Sequence, residues 1–155
     1  GGTYFSHLFT FVLMLSLGAV TGASPDGRKA GLPLAYSMSP GQGRDKEGLT
    51  AVINTLAKIP HHLAAASSSA ILELDPSLLN NIGKEAFTNL LMTSVKSGVG
   101  QLQFNVVDAD TLKEAQKDHD KYRSHCVRVS GFSQQFCLLD NDMKNHIIAR
   151  TKHKV

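Results

Sequence analysis

The segment Arg128-Val129-Ser130-Gly131-Phe132 constrains the fold of this 155-residue chain more than any other feature. Val127 and Val129 are β-branched and alternate with more polar residues, which is typical of a strand. The strand runs into a lone glycine, which an aromatic residue follows directly. We therefore predict a strand that ends in a buried glycine turn, a position where two backbones usually approach closely.

Composition and charge limit the classes of protein to which this chain can belong. The length fits about one domain, and the net charge is +3 with basic and acidic residues interspersed. Because no basic run is interleaved with aromatic residues, nucleic acid is excluded as a partner. The two cysteines make neither a disulfide framework nor a paired metal motif, and the histidines lack neighbours at zinc-like spacing, so we expect no metal and a cytoplasmic location.

Hydrophobic periodicity predicts alternating helices and strands. The run from 8 to 20 is too short to span a bilayer, so no membrane role is expected, and we predict a helix over 5–17 that is buried on all sides. Further helices are predicted near 49–56, 84–96 and 141–150 and after a capping box at Thr111. Strands are predicted at 34–39, 64–74, 101–106 and 126–130, with a loop at 131–135. For 64–74, the Ala/Ser composition leaves a helix as the alternative.

Several further motifs occur in a fixed order along the chain, and together with the glycine segment they resemble the glycyl radical enzymes, the pyruvate formate-lyase-like family. The resemblance covers essentially all 155 residues. The motifs that carry it are Ala23-Ser24-Pro25-Asp26-Gly27-Arg28-Lys29-Ala30-Gly31, Ser39-Pro40, Gly43-Arg44-Asp45-Lys46, Gly48-Leu49-Thr50-Ala51-Val52, Gln101-Leu102-Gln103-Phe104-Asn105-Val106-Val107-Asp108 and Ile147-Ile148-Ala149-Arg150-Thr151.

The resemblance implies that Gly131 stores a radical. Glycine suits this role because it has no Cβ, so its α-carbon can become planar between the amide nitrogen and the carbonyl. In the family, an activating enzyme with an iron–sulfur cluster and S-adenosylmethionine removes a hydrogen from the glycine. The radical then converts a cysteine on a facing loop to a thiyl, which attacks a small organic substrate. No cofactor bound to this chain itself is expected.

The thiyl-forming cysteine normally lies far upstream in the family, on a loop at the centre of a barrel. Cys126 and Cys137, the two cysteines of this chain, both flank the glycine segment and do not match it. We therefore expect a C-terminal fragment, or one piece of a split enzyme, whose partner is the N-terminal part that carries the cysteine. The full enzyme is expected to be a homodimer.

The residues around Gly131 are expected to support the radical loop. Ser130 and Phe132 would pack around the glycine with Val129 and exclude water and oxygen, and Arg128 would anchor the strand through a salt bridge. The amides of Gln103 and Asn105, on one face of their strand, would bind the backbone of the glycine loop. An ordinary solvent-facing edge is the alternative for these two.

Tyr36 and Met38 are candidates for the substrate pocket. The segment Leu34-Ala35-Tyr36-Ser37-Met38-Ser39-Pro40 matches a family strand that runs toward the barrel centre and often carries Asp-Gly where this chain has Tyr36-Ser37. Plain core packing is the alternative.

The predicted fold class is α/β, because strands and helices alternate. The resemblance implies the C-terminal part of a ten-stranded α/β barrel with the glycyl radical loop, as a single partial domain over 1–155. Residues 1–100 would supply the last barrel strands and helices, and residues 101–155 the glycine radical domain.

The expected function is that of a radical lyase, decarboxylase, dehydratase or acyltransferase resembling formate C-acetyltransferase, incomplete as this chain alone. The alternative is a stand-alone spare-part protein that repairs a damaged partner. A structural domain in which the glycine marks only a turn is the third hypothesis.

Overall fold

A parallel sheet centred on strand β2 (Ser67–Leu74) organises the chain in the computed structural model, which describes residues 1–150 and 152–153 and no side chain at positions 81 and 82. Strand β3 (Gln101–Val106) pairs with one edge of β2 over residues 69–74. Strands β1 (His7–Leu8) and β6 (Lys152–His153) pair with the two ends of the other edge. Parallel strands need cover on both faces, which explains why β2 is buried along nearly its whole length.

Helices and a hairpin cover the two faces. The helices are α1 (Met14–Val20), α2 (Leu49–Leu56), α3 (Asn81–Lys96), α4 (Ala109–Lys117) and α5 (Asn141–Ala149). Strands β4 (Cys126–Arg128) and β5 (Ser133–Gln135) form an antiparallel pair of their own. Single 3-10 turns lie at His61–Leu63, Pro76–Leu79 and Phe136–Leu138. The α/β class is confirmed.

Two hydrophobic cores lie on opposite faces of the sheet, since Ile71 packs in one while its neighbours Ala70 and Leu72 pack in the other. The first core lies under the β4–β5 hairpin and contains Met14, Tyr36, Ile71, Val107, Leu112, Ala115, Val127, Val129, Phe136, Met143 and Ile147. The second contains Val52, Ile53 and Leu56 of α2 with Ala70 and Leu72. The hairpin is thus seated on one specific face of β2 and β3.

The prediction of one fully buried helix over residues 5–17 is wrong. Strand β1 occupies 7–8, α1 begins only at Met14, and Met14 and Gly18 are its buried residues. Phe5, Phe11, Leu13 and Leu17 are all exposed. The apolar run lacks the periodicity that would mark where the helix begins. The other elements of this chain leave these apolar side chains exposed.

The predicted strand over residues 34–39 is also absent. Its backbone runs beside β2, where the Met38 amide donates to Ser69 O at 2.9 Å and the Ile71 amide donates to Ser39 Oγ at 2.8 Å. Ser37, however, has a φ of +47°, which interrupts an extended conformation. The segment therefore follows the sheet edge without becoming a strand.

Smaller differences concern helix ends and the hairpin. The cap of α4 is Asp108, whose carboxylate accepts from the Thr111 amide at 2.8 Å, so the capping box predicted at Thr111 is wrong. The predicted loop at 131–135 contains strand β5, and β4 ends at Arg128. The helices predicted near 49–56 and 84–96 are confirmed, and Asp140 caps α5 as expected. Thr151 lies outside the described residues.

The end of α5 is capped by Lys152. Its ammonium donates to the carbonyls of Ile147, Ile148 and Arg150 at 2.6, 2.9 and 2.9 Å. Ile147 O also accepts from the Arg150 amide at 3.3 Å, so Lys152 adds a second donor there and brings a donor to the other two carbonyls at the helix terminus. Burial lowers the pKa of Lys152 to about 8. No helix in the described part of the chain has the length and apolar character needed to cross a bilayer.

Gly18 allows α1 to pack directly on the segment that precedes Tyr36. A Cβ at this position would lie 2.5 Å from Leu32 O and 2.8 Å from Pro33 Cα. We predict that Gly18→Ala lowers the free energy of unfolding by about 1–3 kcal/mol through overpacking. Gly22→Ala is the matched control, because nothing lies within 4 Å of a Cβ there. Equal midpoints for both variants in urea unfolding of the protein that contains this chain would contradict this packing.

Candidate functional site

Gly131 lies at the tip of the β4–β5 hairpin. The Val129 amide donates to Phe132 O at 2.9 Å, which closes the hairpin around Ser130 and Gly131. Gly131 has a φ of +81°, a conformation that side chains with a Cβ rarely adopt. The prediction that this glycine is buried is wrong for the chain as it stands, since Gly131 is exposed.

The immediate neighbours of Gly131 are aromatic. A Cβ on this glycine would lie 3.3 Å from Phe9 Cζ and 3.8 Å from the Tyr36 hydroxyl. The rings of Phe9 and Tyr36 meet edge to face at a centroid distance of 5.8 Å. Phe132 is 36% exposed, and its ring lies 5.8 Å from that of Phe11. One side of the glycine is therefore packed against aromatic rings, and the other is open.

The residues before the glycine are held firmly in the first core. Val129 and Ser130 are both almost fully buried. The Ser130 hydroxyl has no hydrogen-bond partner among the residues that the structure describes. Val129 and Ser130 therefore fix the backbone that leads into the tip, whereas Phe132, which follows the glycine, is partly exposed.

Asn105 holds the backbone of β4 from below. Its Oδ1 accepts from the Arg128 amide at 2.5 Å, and its Nδ2 donates to Arg128 O at 2.9 Å. Gln103, two residues earlier on the same face, accepts from Arg128 Nε at 2.6 Å. The structure thus brings both amides of β3 to the hairpin, one at its backbone and one at a side chain. Asn105 is 5% exposed, so a solvent-facing edge does not describe this residue.

Among the described residues, Arg128 has no carboxylate partner for the salt bridge that the sequence predicts. Its guanidinium contacts Gln103 and, at 3.4 Å, the Ser133 hydroxyl. The charged anchor is instead the pair Arg150–Glu73, in which Nη1 lies 2.8 Å from Oε1. Glu73 is the one charged residue within the buried strand β2, and that placement was the sequence signal for it.

A small cavity of about 40 Å³ is lined by residues that include Tyr36, Glu73, His146 and Arg150. Burial, together with the positive charges of Arg150 and Lys152, lowers the pKa of His146 to about 4. His146 is therefore neutral near pH 7. Its Nδ1, the Tyr36 hydroxyl and Glu73 Oε2 have no hydrogen-bond partner within residues 1–150 and 152–153.

The two predicted pocket residues lie on different sides of the sheet. Tyr36 is 4% exposed and belongs to the first core, next to Gly131. Met38 packs against the second core, with α2. The positive φ of Ser37, which sits between them, redirects the chain.

Neither cysteine is fully buried. Cys126 is exposed at the start of β4, and the Cys137 thiol lies 3.8 Å from Arg123 O. Among the described residues, no three His, Cys, Asp or Glu side chains are grouped closely enough to hold a metal ion.

Comparison with known sequences identifies the family. The sequence model of the family described as "Glycine radical" matches residues 34–137, which include the hairpin and Gly131. The chain belongs to the glycyl radical enzyme family. The resemblance drawn from the ordered motifs is thereby confirmed.

Individual relatives are similar over nearly all of this chain. The probable dehydratase YbiW of Escherichia coli strain K12 is 40% identical over 157 residues, which cover 99% of this chain and 19% of that protein. The isethionate sulfite-lyase of Bilophila wadsworthia is 36% identical over 92% of this chain and 18% of that protein. The chain spans about a fifth of the length of these relatives.

A solved structure shows the same fold. The glycerol-bound B12-independent glycerol dehydratase from Clostridium butyricum matches with a TM-score of 0.95 and 38% identity, over 100% of this chain and 20% of that chain. The arrangement of sheet, helices and hairpin is therefore that of one part of a much larger glycyl radical enzyme.

The neutral state of His146 predicts a pH dependence of stability. Its pKa is about 4 when folded and about 6.5 when unfolded, so between these values the unfolded chain binds more protons. The stabilisation is fully present above pH 6.5 and is lost as the pH falls toward 4, by up to about 3 kcal/mol. We predict that His146→Gln, which cannot titrate, loses less stability than the wild type between pH 7 and pH 5 in thermal unfolding. Parallel losses in the two proteins would contradict this assignment.

Proposed function

We propose that Gly131 stores an unpaired electron that starts catalysis in the full enzyme. An activating enzyme with an iron–sulfur cluster and S-adenosylmethionine removes one hydrogen atom from the α-carbon of Gly131. The radical then takes a hydrogen atom from a cysteine S–H, which restores the glycine and leaves a thiyl. The thiyl in turn removes a hydrogen atom from the substrate. The observation that carries this proposal is the position of Gly131 at the hairpin tip within the family match.

The exposure of Gly131 is consistent with a facing part of the enzyme. The chain spans about a fifth of the length of its relatives, so most of such an enzyme lies outside it. Around the tip, Phe11 and Phe132 pack against each other and leave much of their surface uncovered. We propose that the N-terminal part of the enzyme, a ten-stranded α/β barrel with the thiyl-forming cysteine at its centre, covers this surface. Residues 1–100 would then complete the barrel, and residues 101–155 would present the glycine.

The proposed reaction breaks an unreactive bond in a small organic substrate. The relatives include a probable dehydratase, a sulfite-lyase and a 4-hydroxyphenylacetate decarboxylase subunit. We propose a lyase of this kind that acts on a small organic substrate in an anaerobic cytoplasm, as a homodimer. A carbon radical exposed at a hairpin tip would react with oxygen, so the facing barrel must also exclude air. The length of these relatives favours this function over the stand-alone repair protein.

The first test is electron paramagnetic resonance of the full enzyme after anaerobic activation. We predict a doublet, because one α-hydrogen remains on the radical glycine, and its loss in Gly131→Ala. Gly98→Ala is the matched control, because Gly98 also has a positive φ of +76° but follows α3, away from the hairpin. Both replacements introduce a similar backbone strain of about 1–2 kcal/mol. A doublet that persists in Gly131→Ala would overturn the proposal.

Tyr36, rather than Met38, is our candidate for a pocket residue, because it lies beside Gly131. We predict that Tyr36→Phe leaves the radical yield unchanged and does not lower stability, since its buried hydroxyl has no partner among the described residues. It should change kcat/KM for the substrate by about tenfold or more if the hydroxyl binds substrate. Met38→Leu serves as the control. Unchanged substrate preference in Tyr36→Phe would assign Tyr36 to core packing alone.

A further inference from the structure

Three buried side chains converge on the backbone just before Gly131. Glu73 comes from β2, Asn105 from the neighbouring position of β3, and Arg150 from the end of α5. Glu73 Oε1 accepts from Asn105 Nδ2 at 3.0 Å and from Arg150 Nη1 at 2.8 Å. We call Glu73, Asn105 and Arg150 the loop clamp.

The loop clamp binds two successive carbonyls of the hairpin. Asn105 Nδ2 donates to Arg128 O at 2.9 Å, and Arg150 Nη1 reaches the same oxygen at 3.4 Å. Arg150 Nη2 donates to Val129 O at 3.2 Å. The carbonyl of Val129 lies two residues from Gly131. One planar guanidinium thus joins a carboxylate to the backbone next to the tip, a geometry that the single ammonium of lysine cannot reproduce.

Burial makes the loop clamp rigid and costly to disturb. The side chains of Glu73 and Arg150 are only 2% and 12% exposed. Two charges at this depth attract each other strongly, but removing them from water consumes most of that gain. An ion pair of this kind therefore adds little net stability over apolar packing of the same volume. What apolar side chains could not supply are the donors that hold the carbonyls of 128 and 129.

We propose that Glu73 and Arg150, together with Asn105, are positioning residues that hold the α-carbon of Gly131 in register for hydrogen transfer; this rests on the radical function proposed above. Strands β4 and β5 have only three residues each, and a two-stranded hairpin is marginal without support. Hydrogen transfer requires the reacting atoms to lie within a narrow range of distance. A displacement of about 1 Å can lower the rate by about 10²-fold.

The test uses the full enzyme with its activating enzyme, and two variants, Glu73→Gln and Arg150→Lys. Gln is isosteric with Glu and removes only the charge beneath Arg150, whereas Lys keeps the charge but cannot hold both carbonyls. Arg123→Gln is the control, because its ion pair with Asp120 is exposed on both sides. Spins per protein are counted by electron paramagnetic resonance, and turnover is divided by that count at a temperature where each protein is folded.

We expect turnover per spin to fall about 10- to 100-fold in both clamp variants and to stay at the wild-type value in Arg123→Gln. A purely structural role would lower the spin count and the activity together and leave turnover per spin unchanged, which would overturn the proposal. A wild type without a doublet would instead refute the radical function itself. If Glu73→Gln fails to fold, Arg150→Lys decides the question alone.

A second measurement covers the case in which both variants are unstable. Asn105→Ser keeps the ion pair and removes the amide that holds Arg128. We expect amide hydrogen exchange over residues 126–135 to become at least tenfold faster in this variant, with exchange in α3 unchanged, and turnover per spin to fall with it. Unchanged exchange over 126–135, or unchanged turnover per spin, would contradict a positioning role for the loop clamp.

Discussion

The contact between Glu73 and Arg150 is the interaction on which the site depends. It joins the central strand of the sheet to the end of the last described helix, and both partners are almost removed from water. In this setting each charge requires the other, because an unpaired buried charge costs about 3–5 kcal/mol. Arg150 of this pair donates to the carbonyls of Arg128 and Val129. The pair therefore helps to fix the backbone path of the glycine loop.

Above the loop clamp, the hairpin divides into a fixed part and an open part. Val129 and Ser130 are sealed in the first core, whereas Gly131 and Phe132 reach the surface of this chain. This division matches the chemistry of a stored radical, which needs a defined position and also a path to its reaction partners. A glycine buried entirely by its own chain would meet the first requirement and fail the second.

Much of the fold follows from patterns that are local in the sequence. The helical stripe of α2, the caps of α3 and α5 and the strand β3 are determined by residues close to one another, and the ordered motifs pointed to the family. The segment at 34–39 could not be predicted, because its extended pattern is interrupted by a positive φ at Ser37 that neighbours impose. The N-terminal run could not be predicted either, since it is apolar on all faces.

The structure brings the predicted amides of Gln103 and Asn105 to the hairpin, but the charged anchor was assigned to the wrong residue. Tyr36 lies beside Gly131 and Asn105 binds Arg128 in the same hairpin, whereas Met38 lies on the other face of the sheet. The charged partner of the hairpin was assigned to Arg128, although it is Arg150. Sequence reasoning missed it because the contacts of Arg150 are long-range and depend on how α5 returns to β2. Glu73, an isolated acidic residue near the end of the buried strand β2, was the sequence signal of a buried charge.

The sequence separation of the Glu73–Arg150 pair has a consequence for biosynthesis. Its two members are 77 positions apart, and Arg150 is synthesised after both strands of the hairpin. During translation the glycine loop can pair β4 with β5, but its underside has no guanidinium to bind until residue 150 has left the ribosome. The step that forms this contact brings together distant segments, which slows folding.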